Sequence, residues 1–256
     1  QISNTLSPTT KAQWYDFQST FFSNIETHTA EEFARRTESC VIMGEAGAGK
    51  SAFVQYVCHY RIQSLQTRIP LFFTSKDLHE SNLSDLIDTT LAKIGLDVGE
   101  ARSLGKSIAL YVDGLDELHP EKYYEVCQEI AGAVRRFPDI LVCATVRSSS
   151  YSGELSFLSE RSLMPFDKAR SLRFVEKWFS SQQNGDLFVE RISKALENSA
   201  RIEEIASQPL LLCLICNSAS RYNDISRRPT AIYSQCIEAL LWEWDAKRSI
   251  ARENSF

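Results

Sequence analysis

Apolar positions along the chain fall into two regimes. From Cys40 to about Met164, short apolar runs alternate with longer stretches in which apolar residues recur every three or four positions; after Pro165 only the longer kind remains. The short runs are Cys40 to Met43, Arg68 to Thr74, Ser107 to Val112 and Ile140 to Val146, with Ser162-Leu163-Met164 as a fifth. Near-continuous apolarity of this length is what a strand covered on both faces of a parallel sheet requires. Pro70 cannot donate to a ladder, so the start of its strand is predicted near an edge or at a bulge. Helical spacing covers Ser51 to about Arg61, Ser84 to Ile94 and Pro120 to Arg136. Ahead of the first strand, Trp14 to Ile25 reads as an amphipathic helix and Ala30 to Arg36 as a shorter one capped by Thr29. Strand and helix in alternation predict a doubly wound α/β domain. Beyond it, Asp167 caps a helix carrying Leu172, Val175, Trp178 and Phe179, and others cover Leu187 to Asn198, the run opened by Pro209, and Ala231 to Arg248. These predict a small helical bundle. The division is then flanking helices over 1–37, an α/β domain over 38–165 and a helical domain over 166–256.

Composition narrows this picture without changing it. With 256 residues, 43% hydrophobic and 24% charged, the chain has the make-up of a soluble globular protein of one large or two small domains. A net charge of −5 gives no electrostatic footprint for nucleic acid, so no direct nucleic-acid partner is expected. The longest apolar run, Leu210 to Cys216, is far too short to span a bilayer, and no membrane partner is expected. Seven cysteines without framework spacing imply reduced thiols and a cytoplasmic setting. Cys213 and Cys216 form a C-x-x-C among Leu212, Leu214 and Ile215 with no second Cys/His pair nearby, which favours helix packing over a metal site. No Met opens the chain, which reads as a fragment whose native ends lie elsewhere.

The chemistry concentrates at the ends of three predicted strands. After Met43 comes Gly44-Glu45-Ala46-Gly47-Ala48-Gly49-Lys50-Ser51, a match to G-x-x-x-x-G-K-[ST] followed by Ala52 and a helical pattern. A loop that wraps a triphosphate turns its N–H groups inward, and glycine tolerates the dihedrals and close approach this needs. Lys50 supplies a point charge for the β and γ phosphates, the Ser51 hydroxyl can ligate Mg²⁺, and the helix dipole favours the same anion. At the end of the third apolar run stands Asp113-Gly114-Leu115-Asp116-Glu117. An acid at such a strand tip can hold Mg²⁺, and Asp113 fits; Glu117, with Asp116 beside it, can orient or deprotonate an attacking water. Arg147 ends the fourth run, where a guanidinium can reach a γ-phosphate.

On these motifs the chain resembles the NACHT family, within the signal-transduction (STAND) ATPases of the P-loop superfamily. Gly114 matches the family's small residue after the first acid, and Asp116-Glu117 its later acidic pair. Thr145-Val146-Arg147-Ser148 looks like the family's first sensor, and Ser207-Gln208-Pro209-Leu210-Leu211-Leu212 resembles the helical-domain motif whose proline packs on adenine. Arg228 to Tyr233 resembles the segment that leads into the last helix of that domain. The plant-resistance and apoptotic branch usually carries its two acids directly together, where here Gly114 intervenes. Ser75-Lys76-Asp77 has neither the residues nor the spacing of the guanine-reading [NT]-K-x-D motif, which favours adenine.

The resemblance implies an ASCE-type P-loop NTPase sheet followed by a small all-α domain, with ATP or ADP and Mg²⁺ bound between them. Adenine would lie between Pro209 and residues just ahead of the first strand, such as Phe33 or Arg36. It implies slow ATP hydrolysis and a nucleotide-gated switch that self-associates in the full-length protein, serving innate immune or stress signalling, including antiphage defence in a bacterial source. The family's winged-helix domain, with its ADP-contacting histidine, and its sensor domain have no counterpart before Phe256. Two other readings stay open: a scaffold that binds nucleotide without turnover, and a remodelling ATPase of the AAA+ type. The sensed ligand is not legible in these residues.

Overall fold

The computed structural model describes residues 28–219 except 37, 65–67, 98, 101–107 and 138, together with Ser234 and Ile237. The helix predicted over 14–25, the segment 228–233 and nearly all of the helix predicted over 231–248 lie outside the described residues.

Five strands, β1 (Cys40–Met43), β2 (Ile69–Thr74), β3 (Ile108–Asp113), β4 (Leu141–Val146) and β5 (Ser159–Ser162), form one sheet in the order β2-β3-β4-β1-β5. Every neighbouring pair is parallel. The pleat explains how nearly continuous apolar runs serve two cores at once. Val41, Leu110, Val112, Val142 and Ala144 face one side, while Cys40, Ile42, Ala109, Tyr111, Leu141 and Cys143 face the other. Three helices, α1 (Ala30–Arg35), α2 (Lys50–Gln63) and α3 (Ser75–Glu80), precede α4 (Leu83–Lys93) and α5 (Pro120–Arg136). The first core is closed by Leu78, Leu83, Ile87 and Leu91 from α3 and α4 and by Val126 and Ile130 from α5. The second is closed by Phe33 and Ala34 from α1 and by Val54, Val57 and Cys58 from α2.

Two elements of the α/β unit differ from the sequence pattern for a physical reason. The fifth strand is the polar Ser159–Ser162, not the more apolar Ser162-Leu163-Met164. As an edge strand, paired with β1 alone among the described residues, it stays largely in solvent, so hydrophobicity does not mark it. Leu163 follows it and donates to the Met43 carbonyl at 2.9 Å. The helix α3, unpredicted, is six residues long and starts from a capping box between Thr74 and Asp77.

Past Phe166, four helices among the described residues pack around a core of their own: α6 (Lys168–Phe179), α7 (Gly185–Asn198), α8 (Ala200–Ala206) and α9 (Pro209–Ala219). Asp167 caps α6 by accepting from the Arg170 amide. Val175, Phe179, Ile192, Leu196, Ile202, Leu212, Ile215 and Cys216 fill that core. Burial pushes the Cys216 thiol up to about 12, the behaviour of a packed thiol.

One buried cation fastens α1 to the sheet. Arg61, near the end of α2, is 4% exposed and, among the described residues, has no carboxylate within ion-pair distance. It donates instead to the Ala34 carbonyl (2.9 Å), the Arg36 carbonyl (2.7 Å) and the Tyr111 hydroxyl (3.1 Å). The two carbonyls belong to the end of α1, where intrahelical partners run out and the dipole is negative. Phe33 and Tyr111 rings lie 5.9 and 6.0 Å from the guanidinium carbon. Replacement by a side chain of similar reach without donors strands all three acceptors. Arg61→Met is expected to lower unfolding free energy by about 2–4 kcal/mol in urea titrations, with Arg61→Lys between it and the parent.

Candidate nucleotide-binding site

Because the strands are parallel, the carboxyl ends of β1, β3 and β4 emerge at one edge of the sheet, with β4 between the other two. Ligands of such sheets bind at that edge. Gly44, Asp113 and Arg147 therefore share one end of the sheet, although 103 positions separate the first from the last.

The loop from Gly44 to Gly49 turns on two left-handed glycines, Gly47 (φ 76°) and Gly49 (φ 89°), and Gly49 is the residue from which α2 starts. Lys50 and Ser51 occupy the first turn of α2, so the helix's positive end and its unpaired amides face the loop. Lys50 Nζ donates to the carbonyls of Gly44 (2.8 Å) and Glu45 (3.1 Å), which draws the ammonium across the loop. Glu45, Ala46, Ser51 and Ala52 are exposed, while Ala48 is half-buried.

The acidic box is built around Thr145, a fully buried hydroxyl on β4. Thr145 Oγ1 donates to Asp113 Oδ1 at 2.6 Å and accepts from the Gly114 amide at 2.8 Å. Gly114 then takes φ 82°, and a Cβ there would come within 3.2 Å of the Glu117 carboxylate and 3.4 Å of Ser75 Oγ. The positive φ favours glycine there, and a Cβ would in addition require the Glu117 carboxylate to shift slightly. A single 3-10 turn over Leu115–Glu117, pinned by the fully buried Leu115, carries the two remaining acids.

Those acids go to different partners. Asp116 Oδ1 accepts from the Arg147 amide at 2.9 Å, and Oδ2 pairs with Arg147 Nε at 2.8 Å. The Asp116 side chain is 4% exposed and the Arg147 side chain 48%. Asp116 therefore spends both oxygens on Arg147 and holds it to the acidic turn. Glu117 is exposed, and its Oε2 accepts from Ser75 Oγ at 2.6 Å, Ser75 being the first residue of α3 after the β2 tip.

The fourth wall comes from the helical unit. The Leu210 amide donates to the Gly47 carbonyl at 3.2 Å, and Pro209 Cγ is 3.9 Å from where a Cβ on Gly49 would lie. Pro209 thus reaches the phosphate loop itself. Of the two residues proposed opposite it, Phe33 is 6% exposed and packs against Phe53 with ring centroids 5.3 Å apart, so its face is taken by the core and is not open to a base. Arg36 is half-buried, its carbonyl bound by Arg61 and its Nη2 3.3 Å from His28 Nδ1.

Three participants were given no role of their own by the motifs: Ser75, Thr145 and Leu210, the last two lying inside segments already noted for their resemblance. Thr145 left a trace, as a polar residue inside an otherwise apolar strand. Ser75 left none, and the motif around Pro209 did not mark Leu210 as a loop contact, because both roles depend on pairings across the fold. As a donor set for Mg²⁺, the Ser51 hydroxyl and the Asp113 carboxylate, with one oxygen already fixed by Thr145, supply the hard oxygen ligands the ion requires.

A family model described as the NACHT domain matches residues 38–182. Among solved structures, PCH-2 of C. elegans is 11% identical, with 92% of this chain and 69% of that one covered and a TM-score of 0.45. Domain III of the Thermotoga maritima replication initiation protein DnaA is 15% identical, with 92% of each chain covered and a TM-score of 0.43. No curated protein matches the chain.

Thr145→Val keeps the shape of the β4 tip and removes both hydrogen bonds. It is expected to lower stability by about 1–3 kcal/mol in denaturant titrations. Because Asp113 loses its anchor, nucleotide affinity should fall more with Mg²⁺ present than in EDTA, measured by fluorescence titration.

Proposed function

The chain belongs to the NACHT family of P-loop NTPases, and from that premise we propose that it binds ATP or ADP with Mg²⁺, hydrolyses ATP slowly, and serves as the nucleotide switch of a longer signalling protein. The observation that carries the hydrolytic part is the division of labour between the two acids. Asp116 is committed to Arg147, while Glu117 remains exposed beside Asp113 at the strand end that faces the phosphate loop.

In this reading Lys50 leaves its two carbonyl partners for the β and γ phosphates, and the loop amides of Gly44 to Ser51 take the remaining oxygens. Ser51 and Asp113 hold Mg²⁺, which supplies charge neutralisation at the phosphates. Glu117 orients the attacking water once Ser75 releases it, and Arg147, braced by Asp116, meets the γ-phosphate through its outer nitrogens. Pro209 covers the base from the helical side. Phosphoryl transfer needs positioning more than covalent chemistry, and a switch needs little turnover.

The switch itself draws support from the way the phosphate loop and α9 touch: a change at the loop is felt by a helix rooted in a separate core. We take the boundary between the two units to lie near Pro165, self-association to belong to the full-length protein, and the setting to be cytoplasmic signalling of the innate immune or antiphage kind. The Ser75 hydrogen bond favours a second reading, in which Glu117 stays parked and the module holds nucleotide without turnover.

The first experiment identifies the nucleotide released from purified protein by heat denaturation and chromatography, beside Lys50→Ala. Adenine nucleotide is expected from the parent, with affinity in Lys50→Ala weaker by about tenfold or more. A parent that neither carries nor binds ATP–Mg²⁺ overturns the reading. Glu117→Gln should retain binding and lose about 10²-fold in hydrolysis. Ser75→Ala, which frees Glu117, should raise hydrolysis; a parent and Ser75→Ala that are equally inactive leave the holding scaffold standing.

A further inference from the structure

Leu210 is a large apolar side chain that core packing does not explain. It is 52% exposed and lies outside the core that Leu212, Ile215 and Cys216 build from the same helix. What it covers is main chain. A Cβ on Gly47 would stand 2.8 Å from Leu210 Cβ, 3.1 Å from Cδ2 and 3.5 Å from Cγ, so the side chain lies flat on the open face of that glycine.

The hydrogen bond beneath it follows from how α9 begins. Pro209, at the first position, has no N–H, and Leu210 is the next residue with an amide to offer. The opening amides of a helix lack intrahelical acceptors. This one goes to the Gly47 carbonyl at 3.2 Å. Leu210 is in turn fixed to its own unit, since α9 is rooted in the helical core and the Phe166 amide donates to the Ser207 carbonyl at 2.8 Å just ahead of it. A rigid lever thus ends on the middle of the phosphate loop.

We infer that Leu210 is the gate of the nucleotide site, controlling how fast nucleotide enters and leaves and contributing little to how tightly it is held. This rests on the nucleotide reading above and adds to it the residue that governs exchange. The chemistry separates the two effects. An isobutyl group offers a phosphate neither charge nor hydrogen bond, so it adds little to the bound state. A bulky group lying on the loop must move aside for passage in either direction, and a barrier common to both directions changes both rates by the same factor.

The test is stopped-flow fluorescence with N-methylanthraniloyl-ADP on the parent, Leu210→Ala and Leu210→Met, with melting curves for each. Leu210→Ala is expected to raise association and dissociation rates together by about tenfold while Kd changes by less than about threefold, and Leu210→Met to keep the parent's rates. A rise in dissociation alone, with Kd weakening in proportion, would make Leu210 a binding contact and overturn the gate. Unchanged rates in a parent and variant that both bind the analogue overturn the gate alone. A parent that binds none removes the nucleotide reading and the gate with it.

Discussion

The hydroxyl of Thr145, ahead of the Asp116–Arg147 pair, holds the acid-bearing tip of β3 to the arginine-bearing tip of β4. It donates to Asp113 and accepts from Gly114, so one buried group fixes both a carboxylate and the backbone turn that follows it. Everything downstream in the site hangs on that turn. With Gly114 in its left-handed conformation, Leu115 drops into the core, Asp116 reaches Arg147 across the strand boundary, and Glu117 swings back to Ser75. Without the hydroxyl, a half-buried amide and a buried carboxylate oxygen would both lose their partner, which is costly where water is scarce.

Much of this could be read from the chain because it is local. The β1 run, the phosphate loop and the limits of α5 at Pro120 and Arg136 follow from periodicity, from glycine placement and from proline at a helix start. The parts that escaped are those whose cause lies elsewhere in the fold. β5 is polar because it is an edge, and α3 and α8 are too short for periodicity to mark. Asp116 and Glu117 are adjacent and chemically alike, so only the arrival of Arg147 on one side and Ser75 on the other separates a brace from a candidate base. Phe33 has the right composition for a stacking face, but the pleat of the sheet and the first turn of α2 claim it for the core.

The same distinction holds between the two units. Their cores are separate, and the passage from strands and helices to helices alone was visible in the sequence. The meeting of Leu210 with Gly47 was not, because it joins a glycine chosen for its dihedral to a leucine with no periodic partner. One residue type thereby meets two demands, the turn of the loop and the close approach of a helix.

Arg61 bears on where this fold may be cut. The matched family span opens at residue 38, yet two of the guanidinium's three acceptors, the carbonyls of Ala34 and Arg36, lie upstream of it. A protein trimmed to the matched span would keep the cation inside and discard most of what solvates it. The packing around Arg61 therefore reaches back to the helix that the Thr29 capping box begins, and a boundary drawn by sequence likeness alone would sever the cation from most of its internal solvent.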